Sequence, residues 1–354
     1  MAQLGRLVFL LNSETGSRHR LDGFKPSETL SDLPKFAMVR KYATDKLPPS
    51  VDLRQLMTPV EDQEQIGSCV GNALAAAYEF LIMKNTGKHV DVSRLFIYFN
   101  GRIKDGAQES NMKDSGTFIK SAIAGLTEFG CCKEKLHPYE TSSVNRKPLS
   151  NCYAEAKKYC ITNGMQLKTE LDEMKACLAQ GYPFTFGLQL FKSFSQAETN
   201  GGRVPMPDVG TEAQRQEHGW HAMLAVGYSD RSQCFIVRNS WGEKWGDMGY
   251  CYIPYSYMCN PTHCKDLHAI KTISDDRDHG SKEVMDNSYD WETHKNSPFF
   301  IPSNYSSNYF KDRWFWKPAD LHDYSESGLR KGLKHFFEPF AESRRNGSGC
   351  IQTV

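Results

Sequence analysis

The sequence predicts an α+β protein of two lobes, a helical one followed by a strand-rich one, with a cleft between them. Three observations carry this: helical periodicity lies mostly before about residue 181, strand-like apolar runs follow it, and a turn joins two of those runs.

In chain order, residues 1–48 are polar and mixed, punctuated by Pro26, Pro34 and the Pro48-Pro49 pair. They read as a lead segment, short and pro-like, and not as a domain. The main domain is expected over 49–274, with a helical lobe over about 49–160 and a strand lobe over about 161–274. Val70, Ala73, Leu74, Ala77 and Leu81 fall at i, i+3, i+4, i+7 spacing, so 69–84 should be a half-buried helix stopped at Gly87. Phe118, Ile119, Ala122, Ile123 and Leu126 predict a second helix within Thr117 to Phe129, ended by Gly130. A third runs from Leu171 to Gln180 and closes at Gly181. Phe184–Leu188, Ala222–Val226 and Phe235–Val237 read as strands, and Ser229-Asp230-Arg231-Ser232 turns the last two into a hairpin. A tail over 275–354 follows, rich in Asn, Ser, Lys and aromatics. Without periodicity it reads as a partly disordered extension, or else as a docking or inhibitory segment.

Composition narrows the function classes. Lys+Arg is 43 against 42 Asp+Glu in 354 residues, a net charge of +1. That balance gives no reason to expect nucleic acid or an anionic membrane as partner. At 39% hydrophobic and 12% aromatic residues the chain can build a sizeable core. No run reaches the ~18 apolar residues of a membrane span. Leu7–Leu11, cut short at Asn12, falls below the ~7–15 residues of a signal h-region, so a soluble, intracellular protein is expected.

Eleven cysteines is an odd number, so at least one is unpaired within the chain. Most read as reduced, small apolar residues. Cys259-Asn-Pro-Thr-His263-Cys264 lacks a second ligand pair at zinc spacing, so neither a metal nor any other cofactor is expected. The Asn304-Tyr-Ser and Asn346-Gly-Ser glycosylation patterns read as chance without an export signal. Cys350 stands too far from the end for a prenylation box.

Cys69 differs from the others because it opens a helix. The positive end of the helix dipole favours thiolate there. Gly67 and Ser68 permit a tight turn before it. The N–H of Cys69 and the amide of Gln63, six residues upstream, could converge on a developing oxyanion. In the strand lobe, His221 opens one strand of the hairpin and Asn239 ends the other. The turn brings them side by side, so the Asn239 carbonyl can fix the imidazole's tautomer and direction. Trp241, two residues on, could shield that bond from water. Taken singly, Cys69 could be a capping thiol, His221 a satisfied core histidine and Asn239 a turn residue.

Together they resemble the papain-like cysteine peptidase family. The resemblance is carried by Gln63, the Gly67-Ser68-Cys69 helix start, Gly219-Trp220-His221-Ala222 leading into Val226-Gly227-Tyr228, and Asn239-Ser-Trp-Gly-Glu-Lys-Trp245-Gly246-Asp-Met-Gly249-Tyr250. The last block meets the family's N-S-W-G-x-x-W-G-x-x-G-Y pattern at every fixed position, and the whole covers about Leu47 to Ile273. The resemblance implies a papain-like two-lobe fold, a helical lobe plus an antiparallel barrel-like lobe, with the site in the groove. It implies Cys69 as nucleophile, His221 as acid/base, Asn239 as orienter and Gln63 as oxyanion donor, acting on protein or peptide substrates.

Departures from the pattern point to a branch. Ile66 replaces the cysteine three before the nucleophile, Val70 replaces the tryptophan after it, and one family disulfide is lost with its partner cysteine. That loss suggests a reducing environment and the bacterial and large-DNA-virus branch, not lysosomal cathepsins. Asp114-Ser115-Gly116 stands nearest to the glycine pair that holds substrate backbone, so Ser115, Gly116 and Trp241 are the candidate substrate-binding residues. The lead segment is shorter than the family's usual propeptide. Chemically, a Cys69 thiolate and His221 imidazolium would cleave peptides through a thioester. Alternatives are an inactive homologue that binds peptides or a partner, or a Cys-His acyl transferase or deamidase.

Overall fold

The structure, a computed structural model, describes residues 8–29, 31–161, 164–213, 218–271 and 273–275. The expectations placed on the tail, with Asn304, Asn346 and Cys350, lie outside them.

A seven-stranded antiparallel sheet organises the second half. It comprises β3 (Ser50–Asp52), β5 (Gly164–Gln166), β6 (Phe184–Phe191), β7 (His218–Ser229), β8 (Cys234–Arg238), β9 (Tyr250–Pro254) and β10 (Cys264–Ile270). The order is β5-β10-β6-β7-β8-β9, with β3 added on β7. β7 and β8 form the expected hairpin, and both run further than the apolar cores that predicted them. β7 is buried almost throughout, which is why it reads as a continuous apolar run rather than an alternating one. Two short pairs lie apart: β1 (Phe9–Leu11) with β2 (Arg18–Arg20), and β4 (Tyr159–Ile161) with β11 (Ile273–Asp275).

The first half is helical. α1 (Cys69–Thr86) ends in left-handed Gly87, whose N–H bonds the Met83 carbonyl. The expected half-buried character is corrected: every residue from Cys69 to Leu81 is buried. α1 packs against α2 (Arg94–Lys104) on one side and β7 on another. Small residues allow this approach, since a Cβ on Gly71 would stand 2.7 Å from the Arg94 carbonyl oxygen. α3 (Ile119–Phe129) begins two residues later than predicted and ends at Gly130. α4 (Ser150–Ala156) was not foreseen, and α5 (Leu171–Ala179) was.

The lead segment holds more order than its composition suggested. Asn12 Oδ1 accepts the Glu14 and Thr15 N–H groups, an Asx turn that closes the β1–β2 hairpin. The hairpin tip is tied to Glu198, which accepts from Asn12 Nδ2 at 2.8 Å, Ser17 Oγ at 2.6 Å and Thr15 Oγ1 at 3.0 Å. The chain then runs along the sheet toward the start of α1.

Candidate active site

Cys69 is the first residue of α1, so its N–H has no intrahelical acceptor. Its sulfur is fully buried and accepts from the N–H of Ala222 at 3.5 Å and from that of Val70. Ala222 follows His221 on β7, so this bond brings the Cys69 sulfur up to the strand that carries the histidine. His221 Nε2 bonds Asn239 Oδ1 at 2.8 Å, and Nδ1 is buried with no hydrogen-bond partner. Asn239 follows β8 directly and is held by its N–H to the Gly249 carbonyl at 3.0 Å. That contact needs a loop whose Gly249 has φ +83°, and a Cβ there would stand 2.4 Å from Val60. The fixed glycine of the motif is thus a backbone requirement.

Gln63 is fully buried beside the same loop. Its Oε1 accepts from Ser240 Oγ at 2.7 Å and its N–H donates to the Ser240 carbonyl at 2.8 Å. One Nε2 hydrogen goes to the Ile66 carbonyl at 3.1 Å, and a carboxamide nitrogen carries two. Trp241 stacks on His221 at 4.8 Å, and Trp245 meets Trp241 edge-on at 5.0 Å.

The cleft is filled by the chain itself. His19 also stacks on Trp241, at 4.1 Å. A Cβ on Gly23 would stand 2.8 Å from both Cys69 Sγ and the Gly67 carbonyl oxygen. Thr117 N–H donates to the Gly23 carbonyl at 3.1 Å and Lys25 N–H to the Thr117 carbonyl at 3.1 Å, a parallel bridge. Gly116, at φ +71°, lies under it: a Cβ there would meet the Asp22 oxygen at 2.6 Å. Of the candidate substrate-binding residues, Gly116 and Trp241 therefore touch the lead segment, while Ser115 is exposed. Phe24 is buried over Gly187 and edge-on to Trp220 at 5.9 Å.

Enclosure sets the electrostatics. Burial pushes the Cys69 thiol up to about 12, against the smaller pull of the Ala222 and Val70 N–H groups. Burial holds His221 down to about 4, despite the bond to Asn239. With the lead segment in place burial favours the neutral form of both groups, because neither charge is solvated.

Sequence reasoning missed the supports behind the nucleophile. Tyr139 donates to the Gln63 carbonyl at 2.8 Å, and its hydroxyl also meets Ser68 Oγ at 2.6 Å. Arg94 lies over the Tyr139 ring at 3.7 Å and donates to Asn72 Oδ1, whose amide holds the Ser68 carbonyl and hydroxyl. Asp114 accepts from the Gly67 N–H at 3.0 Å and from the Tyr98 hydroxyl at 2.7 Å. None of these spacings is a local motif.

The fold and the motifs place this chain in the papain family of cysteine proteases, whose profile matches residues 47–267. An uncharacterised peptidase C1-like protein of Acanthamoeba polyphaga mimivirus is 35% identical over 239 residues, covering 63% of this chain and 75% of that one. Xylellain, a cysteine protease from Xylella fastidiosa, superposes with a TM-score of 0.62 at 33% identity, covering 76% of this chain and 98% of its own. Human cathepsin L2 is 28% identical, with 58% of this chain and 60% of the cathepsin aligned. The viral and bacterial likenesses agree with the branch that the departures suggested. No helix among the described residues is long and apolar enough to cross a membrane.

Proposed function

We propose that the chain hydrolyses peptide bonds through Cys69, and that residues 8–29 hold it in a covered, latent state. The observation that carries the chemistry is the meeting of Cys69 Sγ, the His221–Asn239 bond and the Gln63 amide at one buried point. Once the cleft is open to substrate, His221 takes the Cys69 proton and the sulfur attacks the carbonyl carbon. The Cys69 N–H and the remaining Gln63 amide hydrogen stabilise the oxyanion. His221 protonates the leaving amine, then activates the water that splits the thioester and regenerates the thiol.

Latency rests on the contact of Gly23 with Cys69, which leaves no room for a second peptide beside the sulfur. The domain reading follows from it: 1–48 acts as a cover, and the family-matched region supplies the peptidase.

The test is hydrolysis of an unfolded protein such as reduced casein by the wild type and by Cys69→Ala, with fragments mapped by mass spectrometry. Each is assayed before and after brief treatment with a second protease that cuts within residues 1–48. Cleavage that rises on treatment and is absent from Cys69→Ala supports the reading. Identical fragments from both chains would remove it.

A further inference from the structure

Arg20 reaches from the lead segment to the wall of the cleft opposite the sheet. Its Nη1 donates to the Asp114 carboxylate and to the Gln65 carbonyl at 3.4 Å, while Nη2 donates to the Asp114 carbonyl at 2.8 Å. The side chain is 4% exposed and Asp114 is 17% exposed. Asp22, the other carboxylate on Arg20, belongs to the lead segment and moves with it. The three remaining acceptors belong to the body of the protein.

The Asp114 carboxylate is oriented independently of Arg20. Tyr98 O–H and Gly67 N–H hold one oxygen, and Tyr98 is fixed in turn by accepting the Gly116 N–H at 2.8 Å. Departure of the lead segment therefore exposes a rigid carboxylate with two carbonyl oxygens beside it. Arg102 acts on Asp114 only through space, its guanidinium being bonded to the Lys113 and Val144 carbonyls and to Asn145 Oδ1, so a partly buried carboxylate is left without a directly bonded cation and draws one from elsewhere. Two nitrogens divide the three acceptors, Nη1 taking the carboxylate and the Gln65 carbonyl and Nη2 the Asp114 carbonyl, which matches the guanidinium fork better than the single nitrogen of lysine.

The location ties this site to the nucleophile. A Cβ built on Gly67 would stand 3.2 Å from Arg20 Nη2 and 3.1 Å from Asp114 Oδ1, and Gly67 is two residues before Cys69. We propose that Asp114, with the Asp114 and Gln65 carbonyls, forms a guanidinium subsite, and that arginine beside the scissile bond is the preferred substrate residue. Arg20 is the site's internal occupant. This rests on the peptidase reading above for its link to cleavage, but binding at the site does not require turnover.

The test uses the full chain carrying Arg20→Ala and Gly23→Leu throughout, so that the subsite is vacant and the lead segment is off the sulfur, with Cys69→Ala added for binding. Fluorescently labelled peptides that are identical except for arginine, lysine or citrulline at one residue are titrated by anisotropy. Arginine should bind about tenfold or more tighter than citrulline, with lysine between, and Asp114→Asn should bring the three within about threefold. Equal affinities, or no binding by any peptide, would overturn the subsite. If Asp114→Asn does not fold, Asp114→Glu, which keeps the charge but displaces it, should narrow the arginine advantage. The same peptides are then offered to the chain with Cys69 intact. Arginine-selective binding without cleavage would leave the subsite standing and remove the peptidase reading. Cleavage indifferent to arginine, citrulline or their position would do the reverse.

Discussion

Gly23 and Cys69 touch across 46 residues of chain: a single added Cβ on the glycine would lie 2.8 Å from the sulfur, inside contact distance. A leucine there cannot be seated without pushing the lead segment off the nucleophile. Gly23→Leu should therefore open the cleft. Labelling of Cys69 by iodoacetamide at pH 7, mapped by peptide mass spectrometry, should quicken about tenfold or more, because solvation relieves the burial that keeps the thiol protonated. Unchanged labelling would show that the contact does not control access.

Gln63 has an accepting oxygen tied to Ser240 and one amide hydrogen tied to Ile66, which fixes the direction of the other. Gln63→Ala removes that donor and should lower kcat by about 10²–10³, the usual effect of losing one oxyanion donor. Steady-state kinetics against the wild type decide it. Retention of full activity would refute the oxyanion assignment.

The residues that the structure brings together at the candidate site were legible in the sequence because they sit in short blocks with fixed backbone demands. Cys69 lies at a helix start, His221 and Asn239 flank a hairpin, and Gly249 needs a positive φ. The supports were not legible. Tyr139, Arg94 and Asp114 act on the site across 22 to 76 positions, through pairings that only the tertiary structure creates. α2 was missed because its centre, Leu95-Phe96-Ile97-Tyr98-Phe99, is a short continuous apolar run, which on its own cannot be told from a buried strand. The expected thiolate–imidazolium pair followed from the helix dipole and the mutual charge of the two groups. It left out the lead segment, whose cover makes desolvation the larger effect.

Tyr139 links Gln63 to Ser68 through one hydroxyl, so under the proposed mechanism it would position both sides of the oxyanion site without touching a reacting atom. Tyr139→Phe keeps the ring under Arg94 and deletes only those bonds. It should cost about 1–2 kcal/mol of stability, seen as a lower urea midpoint. Turnover should fall with KM nearly unchanged, since the substrate-facing surface is intact. A loss of stability with no change in kcat would make the tyrosine merely structural.

Glu79 is nearly inaccessible on α1, accepting from Thr58 Oγ1 and from the Val92 N–H at 3.0 Å. Burial raises its carboxyl to about 8, helped by the neighbouring Glu61. A group whose folded value is raised makes the folded state the better proton binder, so stability is full at low pH and declines as pH rises from about 4.5 toward 8. At about 1.4 kcal/mol per unit, the decline attributable to Glu79 is on the order of a few kcal/mol. Glu79→Gln keeps the shape and removes the titration, so its urea midpoint should fall less between pH 5 and pH 8 than that of the wild type. A residual slope is expected from Glu134, whose carboxyl burial lifts to about 7 beside Arg94. Parallel declines in the two proteins would mean that Glu79 is ionised in the fold and that its enclosure is looser than the contacts with Thr58 and Val92 imply.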